Sequence, residues 1–259
     1  MLKGKKIVIT GASSGLGLMT AVMLEQQGAR VAITGRNVSK LRAALQSVPH
    51  AKGLSSYVLD VTDANAAADV LDRIWREMDG VDVLVNNAGF GYFERFIDAP
   101  LDHFEQMMDT NYMGVVRCTK AILPQMLRRG SGQIVNIASI AGKLGTPKST
   151  GYSASKHALL GFTNALRQEL RGTGILISAI NPGPFESPFF QTADPGGTYV
   201  SSVQSFMMKP ERVANAVVRA IDKGKAEIDL PGWAALGVKL YHLFPRLSDR
   251  IAGGMLNKK

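Results

Sequence analysis

Short apolar runs alternate along the chain with longer segments in which apolar residues recur every three or four positions. The short runs predict seven strands, over residues 5–10, 29–34, 56–60, 81–86, 132–138, 175–180 and 225–230. The longer segments predict helices over residues 14–27, 39–47, 64–78, 101–128, 152–171 and 211–223. Regular alternation of the two element types is typical of βαβ units, whose strands form a parallel sheet.

The predicted fold class is therefore α/β, a doubly wound, Rossmann-type sheet of seven parallel strands with helices on both faces. Residues 81–85 and 175–180 form nearly continuous apolar runs, as expected of strands that are buried on both faces. A chain of 259 residues fits one large domain, and no linker, repeat or low-complexity segment divides it. We expect a single domain over residues 1–259.

The composition indicates a water-soluble globular protein and excludes internally disulfide-linked and cysteine-based metal-binding classes. A hydrophobic content of 46% and a charged content of 20% are ordinary for a water-soluble globular chain. Cys118 is the one cysteine, which excludes an internal disulfide and a cysteine-based metal cluster, and no metal site is predicted. The apolar run at residues 7–9 is too short for a signal peptide, and no segment approaches the roughly 20 apolar residues of a membrane-spanning helix. The cytoplasm is the expected location.

The formal net charge of +9 leaves several partners open. A basic chain can bind nucleic acid, an anionic membrane surface or anionic small molecules. No cluster of lysine and arginine is interleaved with base-stacking aromatic residues, so nucleic acid is not an expected partner. A lysine-rich solvated surface remains, with a phosphate-rich cofactor as the alternative reason for part of the charge.

The first predicted strand leads directly into a glycine-rich turn and then a helix. Gly11, Gly15 and Gly17 give a GxxxGxG spacing at this turn. Glycines there let the backbone approach a pyrophosphate, and the free N–H groups at the helix N-terminus attract the anion. The spacing alone is a weak signal, because a glycine-rich turn can also be purely structural. Its position after a strand favours a dinucleotide site.

The end of the second predicted strand distinguishes the two nicotinamide cofactors. An acidic residue there would bind the ribose hydroxyls of NAD and repel the 2′-phosphate of NADP. This chain has Arg36 and Asn37 and no carboxylate, and a guanidinium is well suited to a phosphate. Ser13 and Asn37 can add hydrogen bonds. We therefore predict NADP(H) over NAD(H), unless Arg36 is simply a surface arginine.

Tyr152 and Lys156 stand four residues apart in a predicted helix, which puts them on one face. A phenol with a pKa of about 10 is a poor proton shuttle at neutral pH. A nearby cation stabilises the phenolate and lowers its pKa. Such a pair taken alone is common and usually structural.

Several further motifs accompany that pair, and together they resemble the short-chain dehydrogenase/reductase family over about residues 5–230. The resemblance rests on residues 10–17, Asp60-Val61, Asn86-Asn87-Ala88-Gly89, Asn111, Ser139, Tyr152 with Lys156, and Asn181-Pro182-Gly183. Their order and spacing match the family throughout, including the thirteen positions from Ser139 to Tyr152.

The resemblance implies an enzyme with four catalytic residues. Tyr152 would be the general acid in carbonyl reduction and the general base in alcohol oxidation. Lys156 would lower the pKa of Tyr152 and hold the nicotinamide ribose, while Ser139 would polarise the substrate carbonyl. Asn111 would break the long helix locally and hold a water that links Lys156 to solvent.

The resemblance also implies a cofactor site along the carboxyl ends of the strands. Asp60 would bind the adenine amino group beside Val61, and Asn86 would stabilise the sheet. Ser187 stands where the family usually has a threonine facing the nicotinamide carboxamide. The complete expected set is Gly11, Ser13, Ser14, Gly15, Leu16, Gly17, Arg36, Asn37, Asp60, Val61, Asn87, Ala88, Gly89, Tyr152, Lys156, Pro182, Gly183, Phe185 and Ser187.

Two segments point to the substrate. Residues 185–208 mix proline, glycine and serine with phenylalanine and methionine, and a loop this long is usually functional. We expect it to be a substrate lid that walls the site together with the aromatic loop at residues 90–93. The expected substrate is a hydrophobic ketone, aldehyde or secondary alcohol.

The C-terminal tail, residues 232–259, carries apolar residues at helical spacing, namely Leu236, Leu240, Phe244, Leu247, Ile251 and Met255. Pro245 should kink or split this helix. From residue 233 onward, five basic residues face one acidic residue, which is compatible with contact to a membrane surface. The alternative is a helix pair packed on its own domain or on a partner subunit.

The end of the seventh strand departs from the family, which often closes it with a short turn that carries Asp-Gly-Gly. This chain instead has Ile228-Asp229-Leu230-Pro231-Gly232-Trp233. The family uses that region in one tetramer interface, so a homotetramer is in doubt. A homodimer through the helices that contain Cys118 and Ala158 is the other expectation. A regulator that binds NADP(H) without turnover is the alternative function, and an intact set of Ser139, Tyr152 and Lys156 argues against it.

Overall fold

The computed structural model describes residues 2–244, apart from the side chains of Ala234, Ala235 and His242. Its strands are β1 (Lys6–Ile9), β2 (Arg30–Gly35), β3 (Leu54–Val58), β4 (Val83–Asn86), β5 (Gly132–Ile137), β6 (Ile175–Pro182) and β7 (Glu227–Leu230). They pair in the order β3-β2-β1-β4-β5-β6-β7, and every pairing is parallel. The predicted seven-stranded parallel sheet in a single domain is confirmed.

Ten α-helices accompany the sheet in the described part of the chain. They are α1 (Gly15–Glu25), α2 (Val38–Ser47), α3 (Ala64–Met78), α4 (Leu101–Met108), α5 (Gly114–Arg129), α6 (Thr150–Glu169), α7 (Phe189–Ala193), α8 (Thr198–Val203), α9 (Pro210–Lys223) and α10 (Gly232–Leu243). Asp63 begins α3 by accepting hydrogen bonds from the N–H groups of residues 65 and 66, and Gly130 and Gly224 end α5 and α9 in the left-handed conformation.

Two apolar cores cover the two faces of the sheet. Helices α1, α2 and α9 pack on one face, where Leu24 and Val217 are fully buried. Helices α3, α5 and α6 pack on the other face, where Leu71 and Ile122 are fully buried. Burial of each such side chain stabilises the fold by about 1.5–3 kcal/mol, so the helices on both faces stabilise the sheet.

The helix predicted over residues 101–128 is not one regular helix. A π-helical turn at Asp109–Met113 separates α4 from α5, and it contains Asn111. The amide of Asn111 bonds to the backbone of Phe90 and to Ser155 instead of facing solvent. One extra residue in a turn re-aims a side chain, which is why π-bulges are frequent at functional sites.

The third predicted strand also differs from the observed one. It was expected at residues 56–60, but β3 ends at Val58. Asp60 Oδ1 accepts hydrogen bonds from the N–H (3.0 Å) and the hydroxyl (2.7 Å) of Thr62, which turns the chain away from the sheet. Asp60 therefore lies in a loop just beyond the carboxyl end of β3.

The segment at residues 185–208, which showed no regular pattern, contains α7, α8 and a 3₁₀ turn at Gln204–Phe206. Two backbone hydrogen bonds of 3.0 Å join the two ends of this segment. Met208 N–H donates to Pro184 O, and Glu186 N–H donates to Met208 O. We call residues 185–208 the lid segment.

The first part of the predicted tail helix is present as α10. The remaining residues of the predicted stripe, Leu247, Ile251 and Met255, and the expected kink at Pro245 lie outside the described residues. Among the helices that are described, none combines the length and the apolar character needed to cross a membrane.

The chain reverses its winding direction between β1 and β4, which are neighbours in the sheet although β2 and β3 precede β4 in sequence. Loops at the carboxyl ends of parallel strands diverge at such a point and leave a crevice for a ligand. The segments that follow β1, β4, β5 and β6 all lie at this end, so the fold brings the predicted site residues to one edge of the sheet.

Candidate active site

The glycine turn after β1 requires glycine for steric reasons. A Cβ on Gly11 would lie 2.6 Å from Ala88 Cα, and one on Gly17 would lie 2.7 Å from Ala12 Cα. Gly11 and Gly15 also have positive φ angles, of 62° and 56°. The tight turn brings the N-terminus of α1 to the edge of the sheet.

No side chain caps that N-terminus, because Ser14 at the capping position makes no side-chain hydrogen bond to the helix. The first N–H groups of α1 are therefore available to an anion that sits against the glycine turn. This is the geometry that a pyrophosphate requires.

Asn87 supports the glycine turn from the neighbouring strand. Its Nδ2 donates to Thr10 O at 2.9 Å and to Gly11 O at 3.0 Å. In return, Thr10 Oγ1 accepts from the N–H groups of Asn87 (3.0 Å) and Ala88 (3.1 Å). Asn87 was predicted as a cofactor-binding residue, and its side-chain amide is engaged in holding the turn that would carry the phosphates.

The end of β2 presents a cation beside a carboxylate. Arg36 is exposed. Ser13 lies beside Gly35, the residue before Arg36, because the Oγ of Ser13 would be 3.3 Å from a Cβ placed on Gly35. Burial acts to raise the pKa of Asp60. Hydrogen bonds from Thr62 and the nearby charges, first that of Arg36, outweigh burial and lower this pKa below its ordinary value. Asp60 is therefore an ionised acceptor at neutral pH.

Asn37 has a second role that the sequence interpretation did not include. Its Oδ1 accepts a hydrogen bond from Lys40 N–H at 2.9 Å and caps α2. This oxygen thus belongs to the helix cap, and the Nδ2 group of Asn37 remains available to donate a hydrogen bond to a ligand.

Ser139 lies two residues after the end of β5 and is buried. Its hydroxyl donates to Pro182 O at 3.2 Å and accepts from Ala141 N–H at 3.0 Å, which caps a 3₁₀ turn at Ile140–Gly142. Ser139 also lies close enough to Tyr152 to act against the rise in the pKa of that phenol. The serine therefore connects the ends of β5 and β6 to the face of α6 that carries the tyrosine.

Tyr152 and Lys156 lie on α6, with Lys156 Nζ 5.7 Å from the centre of the Tyr152 ring. Lys156 is 5% exposed and donates to Ile137 O at 2.9 Å. Burial lowers the pKa of Lys156 to about 8. Burial raises the pKa of Tyr152 above its ordinary value, and Ser139 offsets part of that increase.

The raised pKa keeps the phenol of Tyr152 protonated at neutral pH, as a general acid requires. Burial thus has the larger effect on this pKa, and Lys156 is not among its causes in the present geometry. The expectation that Lys156 lowers the pKa of Tyr152 stays a prediction.

Asn111 joins three parts of the site. Its Oδ1 accepts from Phe90 N–H at 2.9 Å, and its Nδ2 donates to Phe90 O at 2.8 Å and to Ser155 Oγ at 3.0 Å. A Cβ on Gly89 would lie 3.0 Å from Asn111 Oδ1 and 3.6 Å from Lys156 Nζ. Asn111, Gly89 and Lys156 are therefore neighbours. Ser155 was not singled out from the sequence, although its position one residue before Lys156 offered a signal.

A buried amide chain under the site supports the sheet. Asn86 Nδ2 donates to Asn136 Oδ1 at 2.9 Å, and Asn136 Nδ2 donates to Thr163 Oγ1 at 2.9 Å. This chain links β4 and β5 to α6, in agreement with the sheet-stabilising position that was expected for Asn86. Asn136 was missed because a polar residue inside an apolar strand run carries no motif.

The segment after β6 lies over the glycine turn. Gly183 N–H donates to Leu230 O at 2.6 Å, and Phe185 pairs with Met208 at the base of the lid segment. Pro188 Cδ would be 3.4 Å from a Cβ on Gly15. Ser187 Oγ is buried without a hydrogen-bond partner among the described residues, so a polar atom at the predicted carboxamide position is available to a ligand.

Aromatic rings enclose Tyr152 on its open side. Its ring centre is 5.4 Å from that of Phe189 in the lid segment and 5.7 Å from that of Phe93. Phe93 in turn contacts Tyr199 at 4.6 Å. A Cβ on Gly91 would lie 2.9 Å from Tyr152 Cδ2, so glycine is required where this loop passes the tyrosine. The close approach of Gly91 was not predicted from the sequence.

Comparison with known proteins agrees with this geometry. A family model described as short chain dehydrogenase matches residues 5–196. The chain belongs to the short-chain dehydrogenase family. It is 38% identical to the ketoacyl reductase HetN of Nostoc sp. over 229 residues, which cover 88% of this chain and 78% of that protein. It is 35% identical to the bovine (Bos taurus) dehydrogenase/reductase SDR family member 7B, over 98% of this chain and 82% of that protein.

Solved structures give the same result for this short-chain dehydrogenase. An actinorhodin polyketide ketoreductase with NADPH superposes with a TM-score of 0.80 at 32% identity, covering 88% of this chain and 96% of that one. ElxO with NADP bound has a TM-score of 0.79 at 29% identity and covers 87% of this chain and 97% of that one. The protein is an oxidoreductase of this family, and its use of a nicotinamide cofactor follows from these structures.

Proposed function

We propose that the protein is an NADP(H)-dependent oxidoreductase that interconverts a hydrophobic ketone or aldehyde and the corresponding alcohol. The observation that carries this proposal is the convergence of Ser139, Tyr152 and Lys156 at the carboxyl end of β5, where Ser139 is close enough to Tyr152 to lower its pKa and Lys156 Nζ lies 5.7 Å from the tyrosine ring centre. Ser139 and Lys156 are buried and Tyr152 is half-buried, and a positioned proton donor and a hydrogen-bond donor are most effective where water is largely excluded.

The residues at the sheet edge fit a dinucleotide cofactor. Gly11 and Gly17 form a cradle that a Cβ would fill, and α1 begins without a side-chain cap. The buried, unpaired hydroxyl of Ser187 lies where a carboxamide would need a hydrogen-bond partner. When bound, NADP(H) supplies or accepts the hydride at the substrate carbon. Asp60 would hold the adenine end, and Lys156 and Ser187 the nicotinamide end.

The protein's own residues exchange a proton with the substrate oxygen and stabilise its charge. In reduction, Tyr152 gives its phenolic proton to the carbonyl oxygen, and in oxidation the phenolate takes the alcohol proton back. Ser139 donates a hydrogen bond to the same oxygen, which stabilises the negative charge that develops on it. The cationic Lys156 stabilises the phenolate that Tyr152 leaves behind. Asn111 positions Lys156 through the loop at Phe90 and through Ser155.

The preference for NADP(H) rests on Arg36. It is exposed at the carboxyl end of β2, close enough to Asp60 to lower the pKa of that carboxyl, and β2 ends without an acidic residue. A guanidinium at this position binds a 2′-phosphate, whereas a carboxylate there would favour the ribose hydroxyls of NAD. The related structures with NADP or NADPH support the same choice.

The proposed substrate class rests on the aromatic cover over Tyr152. Phe93, Phe189 and Tyr199 present apolar surface where a substrate would lie, and Phe190 stacks on Tyr199 with ring centres 5.7 Å apart. Apolar walls with a few placed polar groups bind a chain or ring that carries one carbonyl. The lid segment would close over such a substrate, and the likeness to a ketoacyl reductase fits the same class.

A carbonyl panel tests the proposal. NADPH and NADH consumption is followed with apolar and polar ketones and aldehydes, using wild-type protein and Ser139→Ala. We expect turnover of apolar carbonyls with NADPH, lowered about a hundredfold in Ser139→Ala by loss of the hydrogen bond to the oxygen. Ser178→Ala is the matched control, since it removes another buried serine whose hydroxyl accepts from Gln133 at 2.9 Å. Turnover of small polar carbonyls alone would contradict the substrate class, and tight NADPH binding without turnover would indicate the regulator instead.

A further inference from the structure

Helix α10 exposes an unusually apolar face. Trp233, Leu236, Leu240, Leu243 and Phe244 are 67%, 62%, 48%, 69% and 57% exposed. At about 100° of rotation per residue, the first four of these side chains fall within an arc of about 80° on one side of the helix, and Phe244 follows its last residue directly. Val238 lies on the opposite side and is 6% exposed, so α10 packs on the domain through its other face.

This apolar face continues into the end of the lid segment. Trp233 and Pro231 line a cavity of about 420 Å³ together with Phe206, Met207 and Met208. Phe206 is itself 44% exposed. The face of α10 and this cavity therefore form one surface, which we call the α10 surface, defined by residues 206–208 together with Trp233, Leu236, Leu240, Leu243 and Phe244.

Cations border the α10 surface. Lys209 and Arg212 line the cavity, and Lys239 is exposed on α10 beside the leucines. Among the described residues 204–215 and 231–244, the sequence has these three cations and one carboxylate, Glu211. The chain as a whole carries a net charge of +9. An anionic partner is thus favoured over a neutral or cationic one.

We propose that the α10 surface docks on an anionic lipid bilayer. An exposed apolar ridge with a tryptophan at one end and lysine and arginine along its border is the arrangement by which a helix lies in a membrane interface. Contiguous apolar patches of this kind are rare on isolated soluble proteins, which indicates that the surface is covered in use. The positive border complements anionic headgroups, so a bilayer accounts for both the apolar and the charged parts. Docking would also bring Phe206, at the end of the lid segment, against the lipid.

Vesicle binding by the full-length chain is the test, and it requires no enzymatic activity. Co-sedimentation is measured with vesicles of phosphatidylcholine alone and of phosphatidylcholine mixed with phosphatidylserine. The Trp75→Phe variant leaves Trp233 as the fluorescent reporter, because the chain has two tryptophans. We expect binding to the anionic vesicles, a blue shift of Trp233 emission, and weaker binding at high salt.

Paired variants connect the binding to the α10 surface. Leu236→Ser with Leu240→Ser should weaken vesicle binding by at least about tenfold, because two side chains lose burial in the interface. Lys209→Gln should weaken binding to anionic vesicles roughly fivefold. Leu127→Ser is the matched control, since Leu127 is 41% exposed on α5, away from this surface, and its loss should leave binding unchanged.

Three results would overturn the proposal. One is the absence of binding to anionic vesicles, and another is an equal loss of binding in Leu127→Ser and in the Leu236/Leu240 variant. The third is a fall in oligomeric state of the Leu236/Leu240 variant in light scattering without vesicle binding by the wild type. That result would show that a second copy of the chain covers the surface.

Discussion

The buried ammonium of Lys156 has a measurable consequence for stability. Burial lowers its pKa to about 8, whereas the ordinary value of 10.5 applies to the unfolded chain. Between these two pH values the unfolded chain holds a proton that the folded chain has released. Because the unfolded state then binds more protons, the free energy of unfolding rises with pH across this window, and below pH 8 the folded protein bears the full cost of the buried charge.

The size of this effect follows from the two pKa values. One pH unit corresponds to about 1.4 kcal/mol, so the gap from about 8 to 10.5 corresponds to about 3 kcal/mol. Lys156→Met removes the charge and keeps most of the aliphatic volume, but it deprives Ile137 O of its donor, which costs about 1 kcal/mol. We therefore expect Lys156→Met to exceed the wild type in unfolding free energy by about 2 kcal/mol at pH 7 and to fall below it by about 1 kcal/mol at pH 10.5.

Urea unfolding of cofactor-free protein measures this difference across the same pH range. Subtracting the wild-type value from that of the variant at each pH cancels groups that titrate equally in both proteins. Lys120→Met, which removes an exposed lysine from α5, is the matched control and should show a difference that does not change with pH. A constant difference for Lys156→Met between pH 8 and 10.5 would show that burial does not lower the pKa of Lys156.

The other predictions concern the cofactor, the fold and the reaction. Arg36→Ala should weaken NADPH binding by roughly ten- to a hundredfold and leave NADH binding unchanged in fluorescence titrations, and equal losses would contradict the assigned preference. Gly17→Ala should lower Tm because its Cβ would come within 2.6 Å of a neighbouring atom, whereas Gly161→Ala, with nothing within 4 Å, should not. In a pH profile, kcat/KM for reduction should be flat below pH 8 and fall above it as Lys156 loses its proton; a rise through pH 8 would contradict this. Phe93→Ala should raise KM for apolar carbonyls more than for small polar ones in steady-state assays.

The fold was predictable because its strands are short, apolar and separated by amphipathic helices. The runs that became β4 and β6 read as buried parallel strands, and both lie in the interior of the sheet. Parallel topology then brings every strand's carboxyl end to one edge, so motifs that follow different strands meet there. The neighbourhood of Ser139, Tyr152 and Lys156 could therefore be expected from the sequence.

Other features depend on contacts between distant segments, which no local pattern encodes. A local break of the long helix at Asn111 was expected from the family resemblance, but its π-helical form and the hydrogen bonds of the Asn111 amide to the backbone of Phe90, 21 residues earlier, were not. The engagement of Asn87 with the glycine turn is of the same kind, across 76 and 77 residues. The raised pKa of Tyr152 comes from burial. The sequence predicted that residues 185–208 wall the site, but the contact of Phe189 with the Tyr152 ring, with ring centres 5.4 Å apart, could not be read from the mixed composition of that segment.

Tyr152→Phe tests whether this phenol is the proton donor, because it removes one hydroxyl and keeps the ring. NADPH oxidation with the best apolar carbonyl of the panel is compared in the variant and the wild type, and NADPH affinity is measured by fluorescence in both. We expect kcat/KM to fall about 10²- to 10⁴-fold in the variant, with NADPH affinity changed by no more than a few fold. Unchanged turnover by Tyr152→Phe would contradict the role of this phenol as the proton donor.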